Sequence, residues 1–157
     1  MSFETWQWLF PVAVTIHNSE EAIFMPRWIA ANPARVPLHP GAGRVRLALL
    51  VLTLAAFVLT CLSARYGKGS IPAYLLFGYI TAMLANVVIP HIPASLVFRE
   101  YTPGLVTAVV VNLPVMAVLF FLALREQWVE GMKAVAYGTL VPIAITAIGL
   151  GLLAADD

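Results

Sequence analysis

Leu47-Ala-Leu-Leu-Val-Leu-Thr-Leu-Ala-Ala-Phe-Val-Leu-Thr-Cys-Leu-Ser-Ala64 is eighteen residues long and carries no charged side chain. A bilayer core needs about 20 mostly apolar residues to be crossed as a helix, and this stretch is the cleanest such span in the chain. Its surroundings agree. Of 157 residues, 61% are hydrophobic and 11% charged, against roughly 25% charged in a soluble domain. The expected fold is an all-α, polytopic membrane helix bundle of about five transmembrane helices, forming a single integral membrane domain over residues 1–157.

Working outward, Arg65-Tyr66-Gly67-Lys68-Gly69-Ser70 reads as a short turn, so the spans on either side are expected to be antiparallel neighbours. The third span runs from about Ile71 to His91 and is apolar except for Thr81, Asn86 and His91. A link from Pro93 to Tyr101 precedes a fourth span, about Thr102 to Leu124. A polar connection from Arg125 to Lys133 leads to a fifth, about Ala134 to Ala154, and the chain ends at Asp156-Asp157. Prolines inside these spans are tolerable because neighbouring helices re-satisfy the freed carbonyls. Toward the N-terminus, Met25 to Arg46 reads as a loop. It holds Pro26, Pro33, Pro37 and Pro40 and a Gly41-Ala42-Gly43 turn, all opposed to a continuous helix.

The first span, about Trp6 to Phe24, is the least hydrophobic and is expected to kink at Pro11 or insert only in part. Trp6, Trp8 and Trp28 flank it as interfacial anchors would. No cleavable signal is expected, because a basic leader is lacking and Glu4 stands before the apolar run. The loops on one side hold five Arg and those on the other four Lys or Arg, which leans the long loop toward the cytoplasm. A net charge of +1 without a basic run argues against nucleic acid as a partner. Cys61 is the lone cysteine, which excludes an internal disulfide.

What the first span must explain is His17-Asn18-Ser19-Glu20-Glu21. An acid at the bilayer centre costs at least ~2.5 kcal/mol, and intramembrane ionisable groups face inward and mark function by default. At ~100° per residue, Glu20 and Glu21 fall on opposite sides of His17 on one broad face. Glu20 and Glu21 lie about 14–15 residues into their span and Asn86 about 15 into the parallel third, so at ~1.5 Å per residue they share a depth. His91 lies further on, and Pro90 should distort the last turn and swing its imidazole inward. His17, Glu20, Glu21, Asn86 and His91 are therefore expected to converge.

His17-x-x-Glu20-Glu21 near the start of a short multi-span chain resembles the bacterial membrane-protein family named for its HXXEE motif. Asn86-Val-Val-Ile-Pro90-His91 resembles that family's later Asn and His positions, and Tyr101-Thr-Pro-Gly104 with Thr107-Ala108 is similar as well. The resemblance covers roughly residues 10 to 120. It implies an integral membrane protein with suspected catalytic activity and no established reaction.

Three chemistries fit these residues. In the first, His17, Glu20 and His91 ligate a divalent metal suited to nitrogen and oxygen donors (Zn, Fe or Mn). Glu21 is then the general base and Asn86 an orienter, for metal-assisted hydrolysis or related chemistry of a lipophilic substrate in the bacterial plasma membrane. In the second, a protonated Glu drives a metal-free isomerase or cyclase of an isoprenoid. In the third, the group is an ion or proton site of a small transporter, or an Arg-paired scaffold. Membrane lipid is the expected surrounding partner. Asn112 reads as an interhelical hydrogen bond, Arg99-Glu100 as an exposed pair, Ala147-x-x-x-Gly151 as a packing face, and His39 as a surface histidine.

Overall fold

The computed structural model describes residues 1–35 and 38–154; Pro37 and the terminal Asp156-Asp157 of the sequence reading lie outside the described residues. The chain is helical throughout, with no strand among the described residues. A short α1 (Phe3–Trp6) precedes five long segments: α2 (Leu9–Ala31), α3 (Ala42–Tyr66), α4 (Ile71–Phe98), α5 (Leu105–Arg125) and α6 (Gly131–Ala154). The last four are long and apolar enough to cross a membrane. The 23-residue α2 is as long, but its His-Asn-Ser-Glu-Glu run lowers its hydropathy.

Local chemistry sets these boundaries. Gly67, at φ 73°, ends α3, and Ser70 starts α4 by accepting the Ala73 N–H on its hydroxyl at 3.3 Å. With only that turn between them, α3 and α4 pack side by side, as expected. Pro11 falls in the first turn of α2, where a missing N–H costs no bond, so no kink forms there. The expected loop from Met25 is shorter than the prolines suggested. The helix continues through Pro26 to Ala31, and α3 begins at Ala42. Pro26 deprives the Ala22 carbonyl of its helical donor, and the Arg46 Nε–H supplies one instead, at 3.3 Å.

At the centre lies α4, packed on α6, α3 and α5. It buries Tyr74, Leu76, Phe77, Tyr79, Ile80 and Met83. Gly78 permits the tightest approach. A methyl there would come within 2.5 Å of Val141 Cβ and 2.6 Å of the Tyr137 carbonyl, the close helix contact that small residues allow in membranes. The Ala147-x-x-x-Gly151 stripe does not serve this purpose, since a methyl at Gly151 would meet nothing within 4 Å. Outer faces carry Leu47, Leu50, Leu54, Phe57 and Val58 on α3 and Leu140, Ile143 and Ile148 on α6, all exposed, as lipid-facing surfaces are; Cys61 lies on such a surface.

Two interruptions shape the site. In α4 the helical path breaks at Ile89 (φ −142°, ψ 113°), just before Pro90, within a wide turn over Val87–His91. In α5 a wide π-type turn spans Ala108–Asn112. Such turns recur at functional sites. The second leaves Asn112 fully buried with neither amide atom hydrogen-bonded among the described residues, so the interhelical bond expected of it is not formed. Nor does Glu100 pair with Arg99; it meets Arg35 at 2.6 Å.

Candidate metal centre

The five residues of the motif leave α2 in different directions. His17 is buried and turns inward with Glu21, one helical turn on. Asn18 points to α3, donating to the Leu49 carbonyl at 3.2 Å and Thr53 Oγ1 at 2.8 Å, and so ties α2 to α3. Ser19 faces out and donates back to the Thr15 carbonyl. Glu20 reaches away from the imidazoles, to the start of α5.

That last contact is the part of the site sequence reasoning missed. Glu20 Oε1 accepts the Gly104 N–H at 3.1 Å, and Oε2 the Thr107 N–H at 3.0 Å. The Tyr101 hydroxyl donates to Oε1 as well. A carboxylate from α2 thus caps the N-terminus of α5, where unpaired N–H groups and the helix dipole favour negative charge. Burial, then the bond to Glu20, pushes the Tyr101 phenol up to about 12, so it remains a donor. Gly104 allows the fit. Its φ is +88°, and a methyl there would lie 2.5 Å from His91 Cε1 and 2.8 Å from Glu21 Oε1. Nothing in the spacing of Tyr101-Thr-Pro-Gly104 tells that its backbone serves a carboxylate more than eighty residues earlier.

Across the pocket, the kink at Ile89-Pro90 brings His91 back against the bundle, where it is buried. Its ring meets that of His17 edge-on, centroids 5.0 Å apart. Glu21 Oε1 is 3.4 Å from His91 Nε2 and 3.8 Å from His17 Nε2. Asn86 Nδ2 stands 3.2 Å from His17 Nε2 and 3.1 Å from His91 Nε2. All five predicted residues thus come from α2 and α4 into one neighbourhood. Glu21, expected as the base, is the carboxylate among the imidazoles, while Glu20, expected as the ligand, is engaged by the 101–107 segment; the group within reach of one ion is His17, Glu21 and His91, not His17, Glu20 and His91. Among the described residues, neither acid pairs with an arginine.

The donor set suits a cation. One ligand atom each from His17, Glu21 and His91 lies within 4.8 Å of the others, close enough to hold a metal ion. Tetrahedral donors at ~2.0–2.2 Å from an ion sit roughly 3.4 Å apart; the His91 contact to Glu21, at 3.4 Å, matches that spacing, and the His17 contact, at 3.8 Å, is wider. The tautomer of His17 also fits. Thr107 Oγ1 donates to the Gly104 carbonyl at 3.3 Å and stands 3.0 Å from His17 Nδ1. With its own hydrogen so used, the hydroxyl accepts from Nδ1–H. Nε2 then carries the lone pair, which faces the Asn86 amide at 3.2 Å, the tautomer a ligand requires.

Known proteins add a family and little more. The chain is 25% identical over 83 residues to the "Uncharacterized protein YrkK" of Bacillus subtilis (strain 168), a match covering 53% of this chain and 52% of that protein. The matched part is therefore about half the length of that relative. No solved structure matches. Residues 8–119 fit the family model described as "Protein of unknown function with HXXEE motif", a region that contains every site residue from His17 to Thr107. The chain belongs to the HXXEE family.

Proposed function

We propose that this protein is a metal-dependent hydrolase of the bacterial plasma membrane, acting on a lipophilic substrate. The observation that carries the reading is the convergence of His17, Glu21 and His91 on one point beside an apolar cavity. That cavity, about 480 Å³, is walled by Met25, Trp28, Ile29, Ala94, Phe98 and Leu150. A divalent cation held there would act as a Lewis acid on a carbonyl or phosphoryl oxygen. The chain's own residues do the rest. His17, Glu21 and His91 would hold the ion. The second oxygen of Glu21 is the proton acceptor for the attacking water, since Glu20 is occupied by three donors. Glu20 is a positioning residue. It holds the 101–107 segment, and through Thr107 the His17 ring. Asn86, at hydrogen-bond distance from both imidazoles, would orient them before an ion is bound.

One observation favours a second reading, the metal-free acid–base isomerase or cyclase. The Asn86 amide faces both Nε2 atoms at hydrogen-bond distance, which satisfies both lone pairs without an ion. With an ion held by the imidazoles, those lone pairs would go to the metal and the Asn86 amide would no longer donate to them. The separating experiment is hydrolysis of long-chain esters by the purified chain in detergent, before and after chelation. Activity lost on chelation and restored by zinc supports the hydrolase. Turnover of an isoprenoid untouched by chelation supports the alternative.

A further inference from the structure

We infer that the substrate lies across the metal centre with an apolar arm on each side, and is therefore a neutral ester joining two long hydrocarbon groups. The inference rests on the hydrolase reading and names its substrate class.

Two cavities meet at Glu21. The first, about 360 Å³, is lined by His17, Glu21 and Asn86 and runs along α6 past Ile145 and Gly149. The second, about 480 Å³, starts at Glu21 and His91 and runs between Trp28 and Phe98. His17 and Asn86 line only the first, His91 only the second, and Glu21 both, together with the apolar Pro90, Leu150 and Leu153. The ligand group is thus the waist between two chambers, not the floor of one. Each chamber has a volume typical of ligand sites.

A lipid cut next to a charged headgroup would need a polar chamber on one side, and beyond the ligand group, Asn86 and the Thr146 hydroxyl neither offers an uncommitted polar lining. Asn18 is spent on Leu49 and Thr53. The Tyr79 hydroxyl donates to the Leu52 carbonyl. Thr102 is hydrogen-bonded to Ser95, and Arg35 is paired with Glu100 and lies over the Phe98 ring. A desolvated charge would be left without a partner, whereas two hydrocarbon arms gain from burial along their whole length. In the reaction, water adds to the ester carbonyl carbon and the bond to the alcohol oxygen breaks. One water proton passes by way of Glu21 to that oxygen, and a carboxylic acid and a long-chain alcohol leave.

Trp28 provides a reporter for the second chamber. Trp6, Trp8 and Trp128 belong to the other end of the bundle, by α1 and the start of α2. The experiment titrates hexadecyl dibromostearate and methyl dibromostearate into the full chain in detergent and follows quenching of tryptophan fluorescence. The two-armed ester should quench saturably, with a Kd at least roughly tenfold below that of the methyl ester; Trp28→Phe should lose the signal. Gly149→Phe, at a position where an added Cβ meets nothing within 4 Å, fills the first chamber. It should raise the Kd of the two-armed ester to that of the methyl ester and leave the latter unchanged. Ala94→Phe, in the second chamber, should suppress quenching by both. Equal Kd for the two esters, no saturable quenching, or equal weakening of both by Gly149→Phe overturns the inference. Metal content measured on the same samples separates the two claims. A metal-free chain that still prefers the two-armed ester sinks the hydrolase reading alone, and a metal-loaded chain without that preference sinks this one alone.

Discussion

His17 Nδ1 lies 3.0 Å from Thr107 Oγ1, and this contact decides which imidazole nitrogen faces the site. Removing the hydroxyl while keeping its shape tests the point. Thr107→Val should weaken zinc binding by about 10–100-fold, the usual cost of losing an outer hydrogen bond to a ligating histidine, while Thr107→Ser keeps wild-type affinity. Competition with a chromogenic chelator measures both. Equal affinity in Thr107→Val and wild type would show that the hydroxyl orients nothing.

Gly104 is required twice over, by its φ of +88° and by His91 Cε1, which a methyl would approach to 2.5 Å. The left-handed conformation alone costs a side-chain-bearing residue ~1–2 kcal/mol, and the contact adds to it. Gly104→Ala should therefore lower the melting temperature of the detergent-solubilised chain and reduce its zinc affinity together. Gly151→Ala, where the added carbon meets nothing within 4 Å, should change neither.

The two acids of the motif should separate by readout. Glu20→Gln loses charge-assisted bonds from the Gly104 and Thr107 N–H groups, worth about 1.5–3 kcal/mol each. It should destabilise the chain and leave metal stoichiometry intact. Glu21→Gln removes a ligand and also a charge held among apolar walls, so metal should be lost while stability holds or rises. Thermal melts paired with metal analysis would show the split; the reverse pattern would exchange the two roles.

Asn112 buries an amide with no hydrogen-bond partner among the described residues. An unsatisfied buried polar group costs about 1–3 kcal/mol, so Asn112→Leu should raise the melting temperature. A fall instead would mean that the amide is satisfied by a buried water.

Much of this arrangement was legible in the residues. Uncharged runs such as Leu47–Ala64 marked the spans, and counting helical rise placed Glu20, Glu21 and Asn86 at one level. Pro90 announced the break that turns His91 inward. Angular spacing set Glu20 and Glu21 one on each side of His17 and gave no ground for choosing between them, and the expected ligand, Glu20, is the one that faces away. What distinguishes them is the backbone of residues 104–107, a tertiary partner that no local pattern encodes. Likewise Pro26 reads as a helix stop until Arg46, twenty positions on in the sequence, is seen to satisfy the Ala22 carbonyl. The pairing of Glu100 with Arg35, not with adjacent Arg99, is of the same kind. Sequence neighbours were visible; partners across helices were not.

The most direct measurement is the zinc content of the full chain after chelator washing, reloading and desalting, in wild type, Glu20→Gln and Glu21→Gln. One ion per chain in the first two and none in the third is the expected result. A wild-type chain that retains no stoichiometric metal, or a Glu21→Gln chain that retains it, would contradict a centre built from His17, Glu21 and His91.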